Sequence, residues 1–244
     1  MEVDKPAPPC AFLSAEWRNL LMLNYVIDAD VLQPLVPNGT ELDLWEGQAF
    51  GSVVGFRFLN TKVRGLPIPF HRNFDEVNLR FYVKRKHAGE WRKGVAFIKE
   101  IVPRRAIAFV ARWIYNENYV RYPMRSSVQI PGTVRYEWKR CGVWEKLEAH
   151  AVGEPFLPSS DSKESFITEH YWGYAGQRDG STVEYGVEHP PWRVWKCEAP
   201  RLTSDVTVLY GSKFAQYFSR PAESAFVAEG SPVVVRYGEC ITKL

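Results

Sequence analysis

Hydrophobic and polar positions alternate most cleanly over Phe74–Val83. Val77, Leu79, Phe81 and Val83 form one row, and Glu76, Asn78, Arg80 and Tyr82 form the other. Successive side chains of a strand point to opposite faces, so the pattern predicts a strand with one wholly apolar face. Its other face sets a carboxylate, an amide, a guanidinium and a phenol in line. At ~3.3 Å of rise per residue, neighbours in that row stand about 7 Å apart.

Around this strand the chain reads as mainly β. A first strand is expected over 16–27, then a helix over 29–35 with Asp28 as its N-cap. Strands follow over 41–45 and 49–59, with an irregular connection over 61–73. The central strand should pair with 91–102 through a hairpin whose tip is His87–Glu90. Beyond Pro103 the spacing of Ala106, Phe109, Val110 and Trp113 predicts a helix to Tyr115, with Arg112 on its opposite side. Strands are expected over 125–130, 133–140 and 142–152. A helix over 163–168 should be capped by the Ser160-Asp161-Ser162 run. Further strands are expected over 169–174, 181–188, 193–198 and 233–237, and a helical turn capped by Thr203 or Ser204 should reach Tyr210. No repeat or linker divides the sequence, so residues 1–244 read as one domain behind a loose tail at 1–9.

Composition changes the picture in two places. Aromatic residues make up 14% of the chain, with nine Trp, a load suited to strands and pocket walls. Residues 80–105 carry nine Lys or Arg against two Glu, although the net charge is only +3. Charged strand ends and hairpin tips are the ordinary use of such a cluster, and no nucleic-acid-binding motif accompanies it. The four cysteines form no CxxC pair, and no His/Asp/Glu spacing suggests a metal or other cofactor. No apolar run approaches a membrane span, and the first nine residues carry no secretory pattern. The reading is a cytoplasmic protein partnered by a small molecule, not by nucleic acid or membrane, with homo-oligomerisation left open.

The run Phe74–Val83, the later Gly94-Val95-Ala96-Phe97, Ala111-Arg112, Tyr119, Thr168-Glu169-His170-Tyr171 and His189-Pro190-Pro191-Trp192 together resemble the DUF2071 (YqjF-like) family, from about Glu16 to Arg236. That family resembles the acetoacetate decarboxylase superfamily. The resemblance implies an α+β, β-rich fold of mainly antiparallel strands with a few short helices, built as a cone-shaped barrel around an internal cavity. Acetoacetate decarboxylase forms a Schiff base on a lysine beside a second lysine. The corresponding stretch here, residues 115–120, holds no lysine, and no Lys-Lys pair occurs in the chain. Schiff-base chemistry is therefore not carried over, and Lys99 is the one nearby lysine to weigh as a substitute. Glu76 matches the acidic residue of the superfamily's site.

The candidate site follows from both readings. Glu76 is a general base if the cavity is catalytic, and Arg80 is a bidentate holder of a carboxylate or enolate. Asn78 and Tyr82 complete the row, which as a plain sheet face would simply meet solvent. Arg112 is an anion clamp at the cavity mouth or a surface arginine. Tyr115 and Tyr119 pack or exchange protons. Glu169 pairs with an arginine or lines the cavity, and His71 and His170 are structural hydrogen-bonders or catalysts. Two functions fit. One is a non-catalytic binder of a small carbonyl or carboxylate compound. The other is an enzyme using Glu76 as acid/base, with Arg80 and Arg112 holding the anion.

Overall fold

The structure is a computed structural model that describes residues 11–67, 71–103 and 118–241. In chain order the elements begin with β1 (Ala11–Val26), α1 (Ala29–Leu32), β2 (Glu41–Leu42), β3 (Phe50–Val63), β4 (Leu66–Pro67), β5 (Phe74–His87) and β6 (Glu90–Val102). Next come β7 (Tyr119–Arg121), β8 (Met124–Val128), β9 (Gly132–Arg140), β10 (Val143–Phe156), α2 (Lys163–Thr168), β11 (Trp172–Gly176) and β12 (Thr182–Glu188). The chain then runs through β13 (Val194–Thr203), α3 (Val206–Tyr210), α4 (Ser212–Phe218), β14 (Ser224–Arg236) and β15 (Glu239–Ile241). The helix expected after Pro103, with Arg112 and Tyr115, lies outside the described residues.

Hydrogen bonding links the strands in the order β12-β11-β6-β5-β3-β1-β14, and β12 also pairs with β14, so the order returns to its start. Within this ring β6 and β11 run parallel and the other neighbours antiparallel. The first half of β14 turns its free side to β13, and β13-β10-β9-β8 extend from it as a wing. The fold class is thus β-rich and mainly antiparallel, with short helices at the margins.

Two apolar layers explain why β5 is buried on both faces. Val77, Leu79, Phe81 and Val83 pack outward with Tyr136, Trp138 and Leu147 of the wing. Phe74 and Tyr82 instead join Met22, Val54, Phe56 and Phe58 in an inner cluster. The ring and wing approach closely at Gly55, where an added Cβ would stand 2.6 Å from the Tyr136 ring.

The β5–β6 hairpin turns through Ala88 and Gly89, both at positive φ (49° and 89°), which matches the twist of the flanking strands. β5 runs on past Val83 to this turn. Several other expectations change. Asp28 precedes α1 but makes no side-chain cap; its carboxylate accepts a bond from the Tyr217 hydroxyl (2.8 Å). The cap of α3 is Asp205, while Ser204 donates to Glu145 (2.7 Å). β14 starts at Ser224, well before the expected 233, and holds Gly230 and Pro232 inside it. Gly230 adopts φ +79°, and a Cβ there would meet the Trp17 carbonyl oxygen at 2.0 Å.

Candidate functional site

The polar row of β5 looks into the barrel. Glu76, Asn78 and Arg80 line a cavity of about 140 Å³, and they are 3%, 2% and 9% exposed. These exposures exclude a solvent-facing sheet surface. The walls are largely aromatic, with Trp17, Phe56, Phe58, Phe74, Tyr185 and Trp192 among them. α2 packs Phe166 beside Tyr82 (ring centroids 5.4 Å) and His170 (5.2 Å), covering the barrel near Arg80.

Arg80 is the unusual member. Its described partners are the Met22 sulfur, 3.8 Å from Nη2, and the Tyr82 ring, 5.8 Å from the guanidinium carbon. Its Nε is buried without a hydrogen-bond partner, and among the described residues no carboxylate pairs with it. A buried charge without such compensation is costly. Glu76, by contrast, accepts a 3.0 Å bond from the Asn78 amide.

Glu100 completes the polar wall and was not among the sequence candidates. A uniform hairpin register would set Lys99 opposite Asn78. Instead the pairing shifts by one residue between Arg80↔Phe97 and Leu79↔Lys99, so that Asn78 faces Glu100. Paired residues share a face, so this bulge turns Glu100 inward and Lys99 outward with Leu79. Lys99 does not line the cavity, and no other lysine does so among the described residues. Burial lowers its ammonium pKa, but away from the cavity.

His170 also lines the cavity, and its Nε2 lies 3.3 Å from Asp43 Oδ2. Burial, then the charges of Arg80 and Lys93, outweigh Asp43 and keep the imidazole pKa below its ordinary value. Burial opposes charge on Asp43 too. There the His170 bond and the nearby Lys93 and Lys84 prevail and hold the carboxyl below its usual range. The pair is best described as a neutral imidazole donating from Nε2 to a carboxylate. His189 stacks on Trp192 (centroids 4.1 Å), and burial likewise lowers its pKa, with Arg80 contributing.

The remaining candidates separate. His71 and Tyr119 line the cavity. Tyr82 stays behind the wall, sharing a 2.6 Å bond with Ser52. Glu169 is not part of the lining and accepts a bond from the Tyr171 hydroxyl. Four members of the basic cluster pair with acids from elsewhere in the chain. Lys84 and Lys93 flank Asp43 (3.5 and 3.6 Å), and Arg85 and Arg92 grip Glu184. Besides Glu100, sequence reasoning missed Asp43, Trp17, Thr61 and His189, which come from distant strands and loops. Among the described residues no helix is long and apolar enough to cross a membrane, and no metal-type cluster of acidic, His and Cys side chains occurs.

Comparison with known proteins bears on the fold. The chain is similar to the acetoacetate decarboxylase of Legionella pneumophila, with a TM-score of 0.68 at 15% identity, over 99% of this chain and 94% of that one. It is also similar to the enduracididine biosynthesis enzyme MppR complexed with pyruvate, with a TM-score of 0.65 at 12% identity, over 99% and 94%. At such identities the likeness shows a shared acetoacetate decarboxylase-like fold. In sequence it is 31% identical over 199 residues to the uncharacterized protein YqjF of Bacillus subtilis (strain 168), covering 80% of each. Residues 14–232 match DUF2071, an uncharacterized conserved protein family, and the chain belongs to that family.

Proposed function

We propose that the barrel binds a small molecule carrying a carboxylate beside a carbonyl, held by Arg80 and without a covalent lysine adduct. The carrying observation is the guanidinium of Arg80, buried against the cavity with no carboxylate partner among the described residues. An incoming carboxylate supplies the missing charge through two parallel hydrogen bonds. Asn78, whose amide gives one N–H to Glu76, offers its second to the carbonyl further along the same wall. A cavity of ~150 Å³ accommodates a benzene-sized guest, so the ligand has on the order of six to ten non-hydrogen atoms. A protein of the same fold is described in complex with pyruvate, a ligand of this chemistry.

Titration calorimetry with short 2-oxo acids tests the reading. Binding is expected in the wild type and at least a 30-fold loss in Arg80→Met. Borohydride treatment with the same acids should add no mass to the protein. A reduced adduct on any lysine would overturn the non-covalent reading.

A second reading, acid–base catalysis by Glu76, draws on its buried, amide-oriented carboxylate. Loss of turnover in Glu76→Gln with binding retained would support it, and unchanged turnover would remove Glu76 from the chemistry.

A further inference from the structure

Buried polar atoms without a hydrogen-bond partner are concentrated around this cavity. Arg80 Nε and Asn78 Oδ1 belong to the β5 row, and His170 Nδ1 lies beside it. Two more, Trp17 Nε1 and Thr61 Oγ1, belong to lining residues on β1 and β3. They mark a second polar position. Trp17 pairs with Phe58 of β3, whereas Arg80 pairs with Ser52 of the same strand. Six residues of β3 separate these pairings, but the side chains lean together: Arg80 reaches the sulfur of Met22, which pairs with Val54, and Trp17 meets the Phe56 ring, so the two groups stand on the order of 7 Å apart along β3.

At the Trp17 level the wall is aromatic, and Phe56 carries it toward Arg80 opposite Glu76. Phe56 and Phe58 tilt together at 5.1 Å, Phe58 stacks on Phe74 at 4.5 Å, and Trp17 meets Phe56, Phe58 and Trp192 edge-on at 5.5, 5.8 and 6.5 Å. Such a wall offers ring faces and edges to a flat guest, the geometry that aromatic pairs prefer. The Trp192 indole N–H is already bound to Ser231 (2.9 Å), whereas that of Trp17 has no hydrogen-bond partner among the described residues.

We infer that the ligand is an elongated carboxylate with a flat, unsaturated body and a hydrogen-bond acceptor at its far end. The carboxylate sits on Arg80, the ring lies against the aromatic wall, and the far acceptor takes the Trp17 N–H with Thr61 beside it. This rests on the proposed carboxylate binding at Arg80 and adds the class of ligand. An acid as short as pyruvate fills the Arg80 end alone and leaves Trp17 and Thr61 unsatisfied. A saturated chain of equal length lacks the flat face.

Four probes separate the terms: pyruvate, hexanoate, benzoate and 4-hydroxybenzoate, titrated by calorimetry and by tryptophan fluorescence. The expected order places 4-hydroxybenzoate at least 30-fold tighter than pyruvate, and about 5- to 10-fold tighter than benzoate. Benzoate should exceed hexanoate by at least 5-fold. Trp17→Phe keeps the ring and removes the N–H. It should erase the difference between 4-hydroxybenzoate and benzoate. Arg80→Met should weaken all four acids. If pyruvate binds as tightly as the ring acids, or if Trp17→Phe leaves the preference for the hydroxyl intact, this inference falls while carboxylate binding at Arg80 stands. If none of the acids binds, both fall.

Discussion

Replacing Arg80 by methionine should make the protein more stable while removing its anion site. The guanidinium is 9% exposed, and its described contacts are a thioether and the Tyr82 ring. Removing an ion from water costs several kcal/mol in real proteins, and apolar replacement of buried charges of similar volume often gains about 1–4 kcal/mol. Against that stands the cation–π contact with Tyr82, worth about 0.5–2 kcal/mol. Methionine retains most of the side-chain packing, so the net gain should be about 1–2 kcal/mol. For a chain of this size each kcal/mol moves Tm by about 2–4 °C, giving a rise of roughly 2–8 °C. Thermal melts and urea titrations without ligand read this directly. The same substitution removes a positive charge that lowers the pKa of both His170 and His189, so their titrations, followed by NMR, should move upward. A fall in Tm of several degrees would refute the reasoning, because it would show that the fold itself compensates Arg80. Stability sacrificed at a binding site is a common trade.

Other consequences are equally concrete. Gly230→Ala places a Cβ 2.0 Å from the Trp17 carbonyl oxygen at φ +79°, so it should cost about 3 kcal/mol in chemical denaturation; a loss below about 1 kcal/mol would mean that the close approach relaxes freely. His170 has a folded pKa below the ordinary imidazole value of 6.5. The unfolded chain then binds the proton more readily, so the stability from the neutral imidazole is present above pH 6.5 and is lost as pH falls toward the folded pKa. Denaturation at pH 7.5 and 5.5 should show a steeper loss for wild type than for His170→Gln, and parallel losses would contradict the assignment. Lys99→Met should leave carboxylate binding within 3-fold of wild type, since Lys99 faces away from the cavity; a 30-fold loss by calorimetry would place its ammonium in the site.

The sequence made β5 legible because one strand is buried on two sides with opposite chemistry. Val77, Leu79, Phe81 and Val83 serve the packing against the wing, while Glu76, Asn78 and Arg80 serve the interior. Alternation records that directly. The partner wall was less legible, because hairpin counting from the Ala88-Gly89 turn gives Lys99 opposite Asn78. The one-residue shift that substitutes Glu100 leaves no local signature in the sequence. Asp43 and Trp17 reach the site by topology rather than by proximity in sequence. The first part of β14 was hidden by Gly230 and Pro232, which punctuate a loop far more often than a strand. α4 did carry a signal, with Phe214, Tyr217 and Phe218 buried at helical spacing, but it is only seven residues long. The aromatic residues announced a pocket wall without saying which of them would face the same void.

The central claim is that the polar row of β5 holds a carboxylate inside the barrel. A crystal structure with a small 2-oxo acid tests it most directly. The account predicts the ligand carboxylate paired with the Arg80 guanidinium through two parallel hydrogen bonds, with the Asn78 amide along its flank. Arg80 found hydrogen-bonded to a carboxylate of the protein itself, with the acid bound elsewhere or not at all, would contradict it.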